Sequence, residues 1–391
     1  MRPSRGSVAG AGRIALKPAN LRRNSDIQKL KKLKIGVIGV KGLPGHGGAA
    51  RTCGEIFSRI KKDFDIAVYA LNSHVSEEDV EGIEQIVFKK SRMHKYADVL
   101  YYFKAAFHAL FLRTYDVIHL NHHIAGFLVP MLRIRYRVLF HIHGLPYKHD
   151  DKWNRFDKRL IGSFFKIGCR FASEVITVQK SSVPELQRYS RCQVRYIPNG
   201  VNDLITQFGD GGGRRFDITF SAARIIYLKG LHTLMEALHM ISFGGSVQII
   251  GDLDHVPEYK NRIRDLSNGL DVIFTGLITS EEQLFKAIGS SKLFVFPSYS
   301  EGMSNMLLEV AALNVPLIAS DITQNTDVFS RDEVLFFSTG NAADLAEKIT
   351  WARTHYPAMQ KLSLAARRKV KNEHDWNEIA GRYSAIYGQM R

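Results

Sequence analysis

From residue 34 onward, short apolar runs rich in β-branched residues alternate with stretches of helical periodicity. That alternation restricts the chain to parallel sheets covered by helices on both faces. "LKIGVIGV" runs into a Gly-rich turn, "ARTCGEIFSRIKK" reads as a helix and "FDIAVYAL" as the next strand. "YDVIHLN", "RVLFHIHG", "EVITVQ" and "VRYIP" continue the strand series. The pattern lapses over "TQFGDGGGRRFD", a Gly/Asp stretch without periodicity that suits a surface linker. It restarts with "ITFSAAR", "VQIIGD", "VIFTG" and "KLFVFP", again separated by helical stretches. The expected architecture is α/β, with two doubly wound Rossmann-like domains of similar size over residues 34–205 and 206–372. A chain of 391 residues is long enough for two such cores. In the last segment, 373–391, Trp376, Ile379, Tyr383, Ile386 and Tyr387 recur at helical spacing, which reads as a packing face.

The formal net charge of +16 is unevenly placed: residues 1–34 hold ten Lys/Arg against one acid, Asp26. With few aromatics there, residues 1–33 read as a largely disordered basic tail. A solvated tail is one reading and a tether to anionic lipid the other. The segment has no apolar core of signal-peptide length. No nucleic-acid motif is present, and nucleic acid is not an expected partner. The longest nearly apolar run, 97–112, contains Lys104 and His108 and is too short to span a bilayer. Three cysteines, Cys53, Cys169 and Cys192, match no metal or redox spacing and suit a reducing compartment. The expected location is the cytoplasm, with peripheral contact on the inner membrane face as the sharper alternative.

In open α/β sheets ligands bind beyond the carboxyl ends of the strands, and four strand ends carry unusual residues. "GVKGLPGHGGAAR" has Gly42, Gly45, Gly47 and Gly48 ahead of a helix, a loop suited to an anion or a closely approaching ligand. Its spacing is not that of a dinucleotide-binding turn. "LFHIHGLPY" sets His141 and His143 two apart; burial of one of them in a hydrogen bond is the plain reading, and metal binding is disfavoured because, His122 and His123 aside, no third ligand is marked nearby. "SAARIIYLKG" places Arg224 and Lys229 about one loop, where two cations suit a diphosphate and two solvated charges are the plain alternative. "PSYSEGMSNMLLEVAALNVPLIASD" sets Glu301 and Gly302 at a helix mouth and Glu309 inside an apolar helix. Gly302 lets a backbone approach closely, and Ser304 or Asn305 can cap or donate at a helix start. Glu309 lies eight residues beyond Glu301, roughly 12 Å along an ideal helix axis. That is too far for an acid–base pair on one atom, yet suited to gripping two ends of an elongated ligand.

The Glu301-x7-Glu309 spacing resembles the retaining glycosyltransferases of family four, which have the GT-B fold. "RIIYLKG" is similar to that family's arginine-to-lysine-glycine loop, and "GLPGHGG", "HIHG" and "IPNGVN" fall in the family's order. The resemblance runs from about residue 34 to the end. It implies a nucleotide-diphosphate-sugar donor, a UDP-sugar by family precedent, and a glycan or lipid-linked acceptor in surface-polysaccharide synthesis. Carried over, Glu309 would hold the ribose hydroxyls. Arg224 and Lys229 would neutralise the diphosphate, helped by the amides of Met303 and Ser304 after Gly302. Glu301 would contact donor-sugar hydroxyls, His143 would lie near sugar and acceptor, and Gly47 and Gly48 would approach the phosphates. The final helix would cross back onto the N-terminal domain. No metal or other cofactor is implied, and Asp252-x-Asp254 in "GDLDH" reads as coincidence. Ala223 stands where the family has glycine, and Asn202 where "NGVD" is common. A nucleotide-sugar epimerase or other GT-B enzyme such as a sugar phosphorylase, or a sugar-nucleotide-binding protein without activity, is the alternative on the same fold.

Overall fold

A computed structural model describes residues 32–45, 48–75, 80–91, 97–144, 154–208 and 215–391. The basic segment 1–31, Gly47 and the linker core 209–214 lie outside the described residues. The first sheet is formed by β1 (Leu33–Lys41), β2 (Phe64–Leu71), β3 (Glu84–Phe88), β4 (Val117–Leu120), β5 (Arg137–Ile142), β6 (Glu174–Thr177) and β7 (Val194–Tyr196). Between them run α1 (Gly48–Ile60), α2 (Ala97–Leu112), α3 (Val129–Leu132), α4 (Arg155–Phe171) and α5 (Val183–Gln187). The second sheet comprises β8 (Phe216–Arg224), β9 (Ser246–Asp252), β10 (Asp271–Gly276), β11 (Ser291–Phe296), β12 (Leu317–Ser320) and β13 (Leu335–Phe337). Its helices are α6 (Leu231–Met240), α7 (Pro257–Leu266), α8 (Glu281–Gly289), α9 (Asn305–Ala312), α10 (Thr323–Thr326), α11 (Ala342–Thr354) and α12 (Tyr356–Glu373). The chain ends in α13 (Trp376–Gln389).

Both sheets are parallel throughout, in the orders β3-β2-β1-β4-β5-β6-β7 and β10-β9-β8-β11-β12-β13. Each order reverses beside its first strand. The crevice this opens lies at the carboxyl end of β1 in one sheet and of β8 in the other. Strands buried on both faces account for continuous apolar runs such as "VIGV" and "LFVF", where an alternating pattern would mark a half-exposed sheet. In α9 the same burial reaches the whole C-terminal half, so Leu307, Leu308, Val310 and Ala311 have almost no exposure and Glu309 goes in with them.

The last helix crosses back, as its aromatic stripe requires. Trp376, Ile379, Tyr383, Ile386 and Tyr387 are buried against α1 and the first sheet, in one cluster with Val37, Phe57 and Leu139. The chain enters this crossing through a parallel bridge between Val201 and Asp375. Beneath α13 lies a short polar chain inside the core. Tyr387 Oη is 2.7 Å from His119 Nδ1, His119 Nε2 is 3.1 Å from His141 Nδ1, and His141 Nε2 is 3.1 Å from Tyr383 Oη. Two neutral imidazoles, each with one proton, satisfy this chain in either direction. An imidazolium would bring two N–H donors to the His–His contact.

Burial, and then the neighbouring histidines, hold the His119 and His141 pKa values well below the ordinary imidazole range. The unfolded chain takes up these protons near pH 6.5 and the folded chain does not. Stability is therefore expected to fall as pH drops below about 6.5, by up to about 1.4 kcal/mol per pH unit for each histidine. Denaturant midpoints at pH 7.5 and 5.0 measure this; equal midpoints would mean that the rings are charged inside the fold.

Candidate active site

The loops at the carboxyl ends of β8 and β11 are joined face to face. Gly230, after Lys229, is left-handed at φ 70°, and a Cβ there would lie 2.0 Å from the Pro297 carbonyl oxygen. A glycine is therefore required for the two loops to touch. The Tyr299 amide donates to the Leu228 carbonyl at 2.8 Å. With the loops so joined, Lys229 Nζ donates to Glu301 Oε1 at 2.6 Å, and Glu301 is only 11% exposed. Just beyond, Ser304 caps α9 in extended geometry, but its side chain makes no capping bond. The start of α9 thus keeps the positive end of its dipole without its own side-chain acceptor.

The first domain reaches this helix mouth backbone to backbone. A Cβ on Gly302 would stand 1.8 Å from the His143 carbonyl oxygen, and one on Gly144, at φ 132°, would stand 2.7 Å from Gly302 Cα. This approach sets His143 beside Glu301 and Gly302. His143 Nε2 lies 3.1 Å from Asn121 Oδ1. The Asn121 amide is oriented by its Nδ2, which donates to the His119 carbonyl at 3.4 Å, while Oδ1 also accepts from the Cys53 thiol at 3.2 Å. An amide oxygen only accepts, so His143 carries its proton on Nε2 and leaves Nδ1 as an acceptor. Burial, then His123, lowers its pKa to about 3, so the ring is neutral at pH 7 and offers hydrogen bonds rather than charge.

Glu309 has a different cation. Arg51, in the first turn of α1, donates Nη2 to Glu309 Oε1 at 2.7 Å and to Glu281 Oε1 at 3.0 Å. Burial pushes the Glu309 pKa up, and Arg51 opposes that shift. Its second oxygen, Oε2, is buried without a hydrogen-bond partner among the described residues. The two glutamates thus have separate partners, Lys229 from their own domain and Arg51 from the other.

Beside these groups, the cleft between the domains holds a cavity of about 480 Å³. Leu43, Ala50 and Arg51 line one wall; Ala222, Ile250 and Ile278, at the ends of β8, β9 and β10, line the other. The size and the largely apolar wall suit a small-molecule ligand with a flat ring.

Two family models match the chain in tandem: "Glycosyltransferase Family 4" over residues 46–203 and "Glycosyl transferases group 1" over residues 214–369. The chain belongs to the GT-B glycosyltransferases of the family-four type. A relative is the N,N'-diacetylbacillosaminyl-diphospho-undecaprenol α-1,3-N-acetylgalactosaminyltransferase of Campylobacter jejuni, 22% identical over 59% of this chain and 64% of that one. Matches to the first curated relatives span 30%, 64% and 44% of those proteins' lengths. Among solved structures, sucrose-phosphate synthase from Thermosynechococcus elongatus superposes with a TM-score of 0.77 at 22% identity, covering 92% of this chain and 99% of that one. HepE of Anabaena, in complex with UDP-glucose, superposes with a TM-score of 0.71 at 17% identity, covering 91% and 100%. At these identities the two structures show the fold.

Of the residues expected from sequence, the fold gathers His143, Lys229, Glu301, Gly302, Met303 and Ser304 at the mouth of α9, with Glu309 further along the same helix. Arg224 stands exposed at the end of β8, opposite Asp252 in register. Gly47 is outside the described residues, and Gly48 opens α1 with free space where a Cβ would be. The glycine-rich loop needs one correction. A Cβ on Gly42 would meet the His74 carbonyl oxygen at 2.5 Å and one on Gly45 would meet Ala50 Cβ at 2.2 Å, so packing accounts for those two. Sequence reading missed Arg51 and Asn199. Asn199 Nδ2 donates to the Met303 carbonyl at 3.2 Å and Asn305 Oδ1 at 2.8 Å, while its Oδ1 accepts from Thr52 at 3.2 Å. The only signal was its place in "IPNGVN"; Arg51 gave none.

Gly302→Ala is expected to push the domains apart, at a cost of about 1–3 kcal/mol in the closed form. Solution scattering would read a larger radius of gyration and melting a lower midpoint. Wild-type values in both would show that the backbone approach is dispensable.

Proposed function

We propose that this chain transfers a sugar, with retention of anomeric configuration, from a nucleotide-diphosphate-sugar to a glycan or lipid-linked acceptor in surface-polysaccharide synthesis. The observation that carries the reading is the helix mouth of α9. There a cation and a carboxylate meet at the start of a helix that has no side-chain cap, Met306 of that helix lines the ligand-sized cavity, and a second buried carboxylate lies further along the same helix. The base would lie over the ends of β9 and β10, the ribose on Glu309, and the diphosphate between Lys229, Arg224 and the amides of Met303 and Ser304. Glu301 and the neutral His143 would meet sugar hydroxyls.

In the reaction the anomeric C–O bond breaks and its electron pair leaves with the diphosphate. The acceptor oxygen attacks from the same face, and its proton passes to the departing diphosphate. Cationic groups and a helix N-terminus stabilise the charge that develops there. Glu301, held by Lys229, is positioned as a hydrogen-bond acceptor and has no role as nucleophile. HepE's complex with UDP-glucose supports UDP as the first donor base to try, and the Campylobacter relative's name supports a lipid-linked acceptor.

The donor is tested by thermal shift against UDP-, GDP-, TDP- and ADP-sugars. At about 100 times its Kd a ligand adds roughly 2.7 kcal/mol. One nucleotide class is expected to raise the melting temperature, with the shift lost in Glu309→Ala and both binding and turnover reduced in Lys229→Ala. No shift with any sugar nucleotide would overturn the proposal.

A membrane-facing acceptor is supported by the outer side of the first domain. In α2 the inner face is buried through Tyr101, Tyr102, Ala105 and Ala109, while Phe103, Phe107, Phe111 and Leu112 are about half or more exposed. Ile134, 85% exposed, follows α3, and Lys104, Arg133, Arg135 and Arg137 are exposed around these side chains. Aromatic side chains flanked by basic ones suit the interface of an anionic bilayer. Among the described residues no helix is long and apolar enough to cross a membrane. Vesicles with anionic lipid are expected to co-sediment the protein at low salt, and to lose it on Phe107→Ser with Phe111→Ser. Equal sedimentation by the variant would remove this surface from the account.

A further inference from the structure

The Glu309 carboxylate does not line the interdomain cavity; Arg51 does. Arg51 also lines a smaller cavity of about 20 Å³ together with Glu309, so it touches both the cleft and the carboxylate that the proposed reading gives to the donor ribose. Arg51 belongs to α1 of the first domain, whereas both of its acceptors, Glu309 and Glu281, belong to the second. Those acceptors differ in one decisive respect. Glu309 is nearly buried at 6% side-chain exposure, whereas Glu281, at the first turn of α8, is 57% exposed and free to follow a moving partner.

We propose that Arg51 is a cross-domain placeholder on Glu309: it occupies the ribose-binding carboxylate when no donor is bound, and donor hydroxyls displace it onto Glu281. The inference rests on the proposed nucleotide-sugar reading and adds a regulatory step to the same site. A buried carboxylate without a donor partner is costly. Arg51 supplies that partner while the cleft is empty, and a ribose diol supplies it afterwards. Because Arg51 keeps Glu281 as an acceptor, the exchange leaves neither charge unpaired. It also releases one of the bonds that hold the two domains together, so donor arrival is linked to movement of the first domain. The Gly144–Gly302 approach and the Asn199 bonds remain across the cleft and retain the overall alignment.

The proposal is a competition, so it has a sign. Removing the competitor with Arg51→Met should tighten binding of a nucleoside diphosphate. Removing its alternative acceptor with Glu281→Gln should weaken it. In the double variant the Glu281 effect should vanish, because no guanidinium is left to relocate. The tightening should also require the ribose hydroxyls, since a 2′,3′-dideoxynucleoside diphosphate makes no claim on Glu309.

The experiment is calorimetric titration of the full chain with UDP, GDP and ADP and with their 2′,3′-dideoxy forms, well below the melting temperature of every variant. The expected result is Kd about tenfold lower for Arg51→Met, or about 1.4 kcal/mol, and higher for Glu281→Gln, with no gain for the dideoxy forms. Binding unchanged or weakened in Arg51→Met, or tightened equally for the dideoxy forms, would overturn the placeholder role. Arg51→Lys, which keeps a cation but loses the fork that reaches two carboxylates, should fall between wild type and Arg51→Met; a value outside that interval would count against the exchange. If wild type binds none of the three nucleotides while every variant melts cooperatively, the donor reading itself fails. That result is distinct from wild-type binding that Arg51 does not influence.

Discussion

Asn199 sits where the chain makes its two crossings between domains, and the site is assembled around the bonds it makes. Its carbonyl accepts from His374 Nδ1 at 2.7 Å, just before the return helix. Its side chain holds the loop at the mouth of α9, and Thr52 of α1 donates to the same amide. One residue, through its backbone carbonyl and its side-chain amide, therefore ties the end of the first domain, the start of α13, the helix mouth and α1 together. Both sheets put their ligand-binding edges at strand carboxyl ends, as parallel topology dictates. This hub, with the Gly144–Gly302 approach, determines that those two edges face each other across a narrow cleft.

The second requirement is the deep seating of α13. A polar chain of two tyrosines and two histidines is unusual inside an otherwise apolar core. Its members satisfy one another while the rings remain neutral, so the helix that returns from the second domain is fixed in a single register. The same ring stack reaches the surface at His143, whose centroid lies 3.8 Å from that of His141. A structural core and a functional edge thus share one column of imidazoles, and burial keeps both parts uncharged.

Charge is distributed with comparable economy. Each glutamate of the Glu301–Glu309 pair is held by a basic residue, but the two bases come from different domains. Lys229 is brought to Glu301 by loops of the same sheet and would hold it whatever the first domain did. Arg51 reaches Glu309 only when the domains are together. This asymmetry makes the inner carboxylate the one that can report on closure.

The alternating apolar runs, the glycines at special backbone positions and the stripe of the last helix were legible in sequence because they follow from local periodicity. The same is true of Glu301 and Glu309 as members of one loop and helix, and of Lys229 ahead of Gly230. What no local pattern carries is partnership over long separations. Arg51 is 258 residues from Glu309 and Asn199 is 104 from Met303, and neither residue type is unusual where it stands. The glycine-rich loop shows the converse limit: a sequence cannot tell a glycine needed by a ligand from one needed by its neighbours, and here Gly42 and Gly45 are needed by His74 and Ala50. Sequence alone determined two parallel sheets and the ends at which a ligand would bind, since strand burial and loop chemistry are written residue by residue. Only the tertiary structure decided which cation meets which carboxylate, because that depends on how two separately formed domains are brought face to face.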